Sequence, residues 1–385
     1  MADSNLQERI QIIQDATSFK KTSRIPTYSN YWTYMVLDAG HKLGDALYDY
    51  GMLFEAVIGF HEKYNFDMYN YTGGRNPFRV TDLFEANRYI IDDERGAFNI
   101  QDNEIMYEGE YEELAKDPLK FIWSVIVPRK GQLMSAPESF DIFEKAVKEY
   151  DLYNQFTAST TKTLLEEHGV PQKAPTALRA PFDNFFNHLR GMKETAIDMR
   201  RDPQGLDAGI KALHEYFGID AQVENFRNSP LPSHCVFGAN SVLLGHSICS
   251  PKQFGAYYWP YLKEWFGICA ETGKQFFLFT EAQVTSFADY FRDVPKGVLM
   301  LQPEQDDLIE FRRLVPDVAL CGGMTTVTLG YKSKQEALDM AKMFADELGA
   351  DGGFFMGQNK MMTYKNDAKP ENILAVQEFC ANYKP

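Results

Sequence analysis

Apolar and polar positions along the chain repeat in a two-part pattern, a short run of strand length followed by a longer stretch with helical spacing. In "GKQFFLFTEAQVTSF", Gly273 to Phe287, "QFFLF" is a continuous apolar run that stops at Thr280 and Glu281. The last third repeats the pattern most clearly. "KQFFLFTEA", "GVLMLQPEQD" (297–306), "DVALCGGM" (317–324) and "GFFMGQN" (353–359) read as strands. "FADYFRDV", "DLIEFRRLV", the Ser-capped 333–352 and 369–383 read as helices between and after them. Upstream, strands are expected at "RIPTYSNYW" (25–33), "FDMYNYTGG" (66–74), "TALRAPFDNF" (176–185) and "SHCVFGANS" (233–241). Leu43, Ala46, Leu47, Tyr50 and Leu53 mark a helix over 43–64, and Ser250-Pro251 opens another that stops at Gly273. From about 81 to 150 the rhythm breaks into acidic, turn-rich sequence, expected to form an inserted hairpin plus helices.

Eight strands alternating with helices predict a parallel sheet, closed as a (β/α)8 barrel, in one domain over 1–385 with an irregular, helical insertion at about 81–175. The runner-up, a doubly wound open sheet, lacks the Gly-rich phosphate loop such folds carry after a strand. In a barrel, functional groups gather where the strands end.

The net charge of −15 argues against nucleic acid and against an anionic membrane surface as partners. The polar start "MADSNLQERIQ" does not read as a signal peptide, and no apolar stretch approaches membrane-spanning length. Five scattered cysteines without a CxxC pair fit a reducing, cytoplasmic setting. Aromatic residues reach 14%, and "YSNYWTYM" concentrates them near one strand end, which raises an aromatic-lined site beside the plainer reading of an aromatic core.

Strand ends nominate the candidates. Glu281 is a carboxylate at the end of an apolar strand, and Gln302 and Glu304 share that geometry. Tyr28 and Tyr31 sit at the end of the first strand, and Tyr69 and Tyr71 at the end of the second, where alternation turns both of the latter to one side. Arg75 offers a partner for a substrate carboxylate or a surface ion pair. Of Asp183 and Asn184, one is expected in the mouth, with a helix cap as an equal account of Asp183. His234 is a candidate for a catalytic role on its own. Asn240 and Gln358 complete the polar set. Cys321, with Gly322 and Gly323 after it, offers a thiol ligand or an inert buried thiol, and the glycines offer close approach to the backbone.

The segments "SPKQFGAYYWPYLKEWFG", "TGKQFFLFTEAQVTSFADYF", "VPDVALCGGMTTVTLGYKSKQEALDMA", "GADGGFFMGQN" and "KPENILAVQEF" together resemble the uroporphyrinogen decarboxylase superfamily. "SRIPTYSNYW" and "APFDNFFNHLRGMKETAIDMRRDPQGL" fit it too, so the resemblance covers most of the chain outside about 81–175. It implies a (β/α)8 barrel with its site in the carboxyl-terminal mouth. The arginine loop of the decarboxylating branch is replaced here by "YSNYWTYMVLDAG". The His-x-Cys pair and later Cys of the thiol-methylating branch fall on Phe279, Glu281 and about Gln358 or Asn359. The resemblance to a third group of relatives implies a corrinoid-dependent methyltransferase that takes a methyl group from an aryl methyl ether to a Co(I) corrinoid on a partner protein, an O-demethylase component of anaerobic metabolism. In that role Glu281 supplies a proton to the leaving oxygen or ligates zinc, with Cys321 as a second candidate ligand. Gly322 and Gly323 let substrate or corrinoid approach. Relatives often pair, which implies a homodimer. Three alternatives stay open: a decarboxylase, a zinc-dependent methylcobalamin:thiol methyltransferase, and a non-catalytic ligand-binding barrel.

Overall fold

A computed structural model describes residues 2–70, 77–84, 89–101, 104–131 and 136–384. Eight strands form one parallel sheet: β1 (Thr27–Ser29), β2 (Met68–Tyr69), β3 (Thr176–Arg179), β4 (Ala239–Leu243), β5 (Phe276–Thr280), β6 (Leu299–Pro303), β7 (Ala319–Met324) and β8 (Phe354–Gln358). Their order across the sheet is β2-β1-β8-β7-β6-β5-β4-β3. The sheet is rolled. Laid flat, its edges β2 and β3 would stand roughly 33 Å apart at ordinary strand spacing. Yet Lys173, just before β3, donates a hydrogen bond to Asn70, just after β2, at 2.5 Å. Across the middle, the Tyr28 ring of β1 lies 5.1 Å from the Phe277 ring of β5. The eight parallel strands thus curl as a TIM-like α/β fold does, short of the full closure expected. Among the described residues no backbone ladder joins β2 to β3, and side chains bridge that seam instead.

Both faces of β5 are buried, which is why "QFFLF" is apolar without interruption. Phe277 and Phe279 point inward with Tyr28, Met68, Met300, Ala319, Cys321 and Phe355. Phe276, Leu278, Leu299, Leu301 and Leu320 point outward under the helices. The amino-terminal helix Ala2–Thr17 lays Leu6, Ile10, Ile12 and Ile13 on the inward cluster, closing the barrel at the strands' amino ends. The helix expected over 43–64 is two helices, Leu43–Ala46 and Tyr50–Tyr64, because the Asp49 side chain accepts from the N–H groups of Gly51 and Met52 and starts a new one. Capping boxes at Ser250/Gln253 and Ser333/Glu336 open their helices as the sequence predicts.

The insertion forms an antiparallel hairpin (Tyr89–Asp92 with Ala97–Ile100), short helices from Tyr111 and the long helix Ala136–Glu166. It leans on the carboxyl-end loops. Phe98 packs edge-on to Trp32 at 4.5 Å, and the N–H groups of Ile105 and Met106 donate to the Leu189 carbonyl, each at 2.8 Å. Among the described residues no helix is long and apolar enough to cross a membrane.

Candidate active site

Asn30 and Asn70 stand directly after β1 and β2, and they begin a chain of amides across the floor of the mouth. Lys173 Nζ donates to Asn70 Oδ1, and Asn70 Nδ2 donates to Asn30 Oδ1 at 2.8 Å. The Asn30 backbone N–H donates to Gln358 Oε1 at 2.7 Å, and Gln302 Nε2 donates to the Gln358 carbonyl at 2.6 Å. The network ties the ends of β2, β1, β8 and β6 to the approach of β3. Asn30, Gln302 and Gln358 are deeply buried, the first two at 0% exposure, while Asn70 and Lys173 are half-buried. Two atoms are left over: Asn30 Nδ2 and Gln302 Oε1 have no hydrogen-bond partner. A buried polar atom without a partner costs roughly 1–3 kcal/mol, so this donor and this acceptor are held in the fold at a cost.

At the seam between β2 and β3 lies a cavity of about 350 Å³, walled in part by Tyr69, Asn70, Lys173, Ala177, Asn240 and Val242. Lys173 keeps part of its surface exposed, but its ammonium lies 5.3 Å from the centroid of the fully buried Phe277 ring. Burial pushes that amine down to about 7, with a smaller opposing effect from Cys321. No described carboxylate pairs with it.

The rim carries the acids. Glu281 follows β5, half-buried, with its backbone N–H bound to the Leu243 carbonyl at 3.1 Å. Ala282 turns the chain at a φ of +65°, and its N–H donates to Glu304 Oε2 at 3.3 Å, so two carboxyl groups share this part of the rim. Burial raises the Glu304 carboxyl above its ordinary range, against smaller lowering effects of the Ala282 N–H and Lys360. Asp306 fastens the neighbouring loop by accepting from Val284 and Thr285 N–H groups. His246, after β4, is fully buried near Phe287, with neither ring nitrogen partnered, and burial holds it down to about 4.

The predicted residues divide sharply. Glu281, Gln302 and Gln358 lie at the mouth as expected of strand ends, and Tyr69 and Asn240 line the seam cavity. Tyr69 also meets His61 Nδ1 at 2.9 Å. Tyr28 is inside the barrel but below the mouth, packed between Phe277 and Phe355. Tyr31 faces outward against Tyr34, Phe60 and Phe66 and is core, because it lies three positions past inward Tyr28 and alternation reverses its side. His234 lies at the end opposite the mouth. β4 starts at Ala239, not 233, and His234 lies in the turn before it, its carbonyl accepting from Gln172 N–H. Asp183 and Asn184 are buried in the β3 loop. Asp183 accepts from the Tyr258 hydroxyl and from the Gly245 N–H at 2.8 Å, and Asn184 bonds back to carbonyls of its own turn. Gly322 and Gly323 take φ values of +142° and +102°, and a Cβ on Gly323 would sit 2.8 Å from Phe344. Protein atoms fill the room expected there for a ligand. Cys321 is mid-strand, fully buried, its thiol driven well up by burial. Among the described residues no three His, Cys, Asp or Glu side chains gather as metal ligands. Tyr71 and Arg75 lie outside the described residues.

Asp183 has a structural consequence. Its carboxyl, raised to about 6 by burial, holds the β4 loop and the helix start at Tyr258 against the β3 loop. Asp183→Ala orphans a buried hydroxyl and two N–H groups, an expected loss of about 3 kcal/mol or more in chemical denaturation. Tyr258→Phe, which removes one bond only, is expected to cost about 1 kcal/mol.

No protein-family model and no curated protein matches the sequence. Among solved structures the chain is similar to a methyltransferase from Methanosarcina mazei, with a TM-score of 0.61 and 11% identity over 97% of this chain and 98% of that one. At that identity the likeness speaks for the architecture: an α/β, TIM-like barrel shared over nearly the whole length.

Proposed function

We propose that the protein is a methyltransferase that moves a methyl group from a small methylated substrate, an aryl methyl ether above all, to the Co(I) corrinoid of a partner protein. The observation that carries this is the floor of the mouth. It is built of neutral amides, with a spare donor on Asn30 and a spare acceptor on Gln302, and with one amine beneath them. Such a floor suits a small, mostly uncharged ligand. A polycarboxylate, the substrate class of a decarboxylase, calls for several cations at the same place. The likeness in fold to a methyltransferase points the same way.

In the proposed reaction the electron pair of Co(I) forms the bond to the methyl carbon. The methyl–oxygen bond breaks, its electrons leave on oxygen, and a proton completes the phenol. The corrinoid is the methyl acceptor and approaches from outside. Val327 and Tyr331, 57% and 68% exposed after β7, offer apolar surface at that end of the barrel. The protein's task is to bind the ether, exclude water and protonate the leaving oxygen, for which Glu281 and Glu304 stand on the rim. Proton donation of this kind is worth roughly 10²–10⁴-fold.

Incubation with Ti(III)-reduced cobalamin and a panel of methoxyarenes, methylamines and methylated thiols tests the proposal. Methylcobalamin is expected to appear with methoxyarenes. Transfer confined to thiols, or none from any donor, contradicts it.

A further inference from the structure

We propose that the seam cavity between β2 and β3 is a site for the carboxylate of a small aromatic acid, with Lys173 as its counter-ion. The ligand's being the methyl donor rests on the methyltransferase reading; its binding does not.

The cavity, at about 350 Å³, has room for a single substituted benzene ring. Leu164, Val170, Ala177 and Val242 give it apolar walls, and Lys173, Asn70 and Asn240 give it polar ones. An ammonium carries three donors. Lys173 spends one on Asn70 Oδ1, a neutral acceptor that is itself fixed by its bond to Asn30. Among the described residues the neighbouring groups offer no negative charge. Cys321 on β7 is a buried thiol held neutral. Tyr69 on β2 is a phenol raised by burial and bound to His61, which burial holds down to about 3. Tyr28 on β1 contributes a ring against Phe277. Arg9, on the amino-terminal helix beyond Tyr69, is paired with Asp67. The cavity thus presents a cation without an anion, facing space, in apolar surroundings. A carboxylate supplies the missing charge and accepts the two unused donors.

Titration calorimetry of the full chain with benzoate, 4-methoxybenzoate and anisole tests this, in two buffers of different ionisation heat from pH 6 to 9. Benzoate is expected to bind with constant affinity below pH 7 and to weaken as pH rises above it, approaching tenfold per unit. At pH 8 its binding takes up about one proton. Anisole shows neither pH dependence nor proton uptake. Lys173→Gln, and independently Lys173→Met, weakens benzoate at least tenfold and abolishes the uptake. The wild-type proton uptake needs no variant, so a variant that folds poorly leaves the test intact. Absence of benzoate binding, binding without proton uptake, or equal affinity in a folded Lys173→Gln overturns the site. If benzoate binds as described but 4-methoxybenzoate gives no methylcobalamin, the site stands and the methyltransferase reading falls. The opposite pair of results removes the site alone.

Discussion

Lys173→Met should make the protein harder to unfold at pH 6 while removing its hold on an aromatic acid. The folded protein keeps this amine at about 7, against roughly 10.4 in an unfolded chain. The depressed value means that the folded state disfavours the charged form. The penalty is complete below pH 7, shrinks as pH rises from 7 toward 10.4, and vanishes above that. Its size is on the order of 2–4 kcal/mol, allowing for the partial exposure of the side chain. Methionine fills similar space without a charge. Against the gain stands the orphaned Asn70 Oδ1, a loss of about 1 kcal/mol. The net expectation is a gain of roughly 1–3 kcal/mol at pH 6, shrinking and then reversing by pH 10 as the penalty disappears and only the orphaned oxygen remains. Urea denaturation of both proteins at pH 6, 8 and 10 measures it. A variant less stable than wild type at pH 6 shows instead that the ammonium is charged and satisfied in the folded protein. A residue that weakens the fold where it sits in a cavity is the pattern expected of a site kept for binding.

Glu281→Gln is the second large effect. If the rim carboxyl protonates the leaving oxygen, transfer from 4-methoxybenzoate to reduced cobalamin should fall roughly 100- to 10,000-fold. The loss should shrink sharply with 4-nitroanisole, whose phenolate leaves more readily and depends less on a proton. Glutamine keeps the size and hydrogen bonding of the side chain, so a fall that is equal for both ethers indicates binding rather than proton transfer. Glu304→Gln separates the two rim carboxyls. Its carboxyl already holds the Ala282 N–H, so a smaller effect on rate and a measurable one on stability are expected.

Strands such as β5 were legible because both their faces are buried, so apolar runs such as 276–279 announce themselves without any alternation to decipher. β4 was misplaced for the same reason. The apolar stretch Cys235–Phe237 looks like a strand but packs into the barrel floor before the ladder begins at Ala239, past Gly238, where a side chain would strike Phe226 at 2.7 Å. Even on the expected strand 233–241, His234 stands near the amino end, away from the mouth. The floor network had a visible signal. "YSNYW" and "MYNYT" place an asparagine one residue past each of the first two strands, with Asn30 in phase with inward Tyr28 and Asn70 with inward Met68. The flanking tyrosines drew attention from the smaller amides. Lys173 had none. It lies between Pro171 and Pro175 at the end of the apparent insertion, and its meaning appears only when the sheet rolls and brings β2 to β3.

The most direct measurement is a single-turnover balance. Full-length protein, reduced cobalamin and 4-(trideuteriomethoxy)benzoate are mixed without oxygen, and cobalt-bound methyl, phenol and carbon dioxide are counted. The account predicts trideuteriomethyl-cobalamin and 4-hydroxybenzoate in equal amounts, with no carbon dioxide. Unchanged ether, or carbon dioxide released with the methoxy group intact, contradicts it.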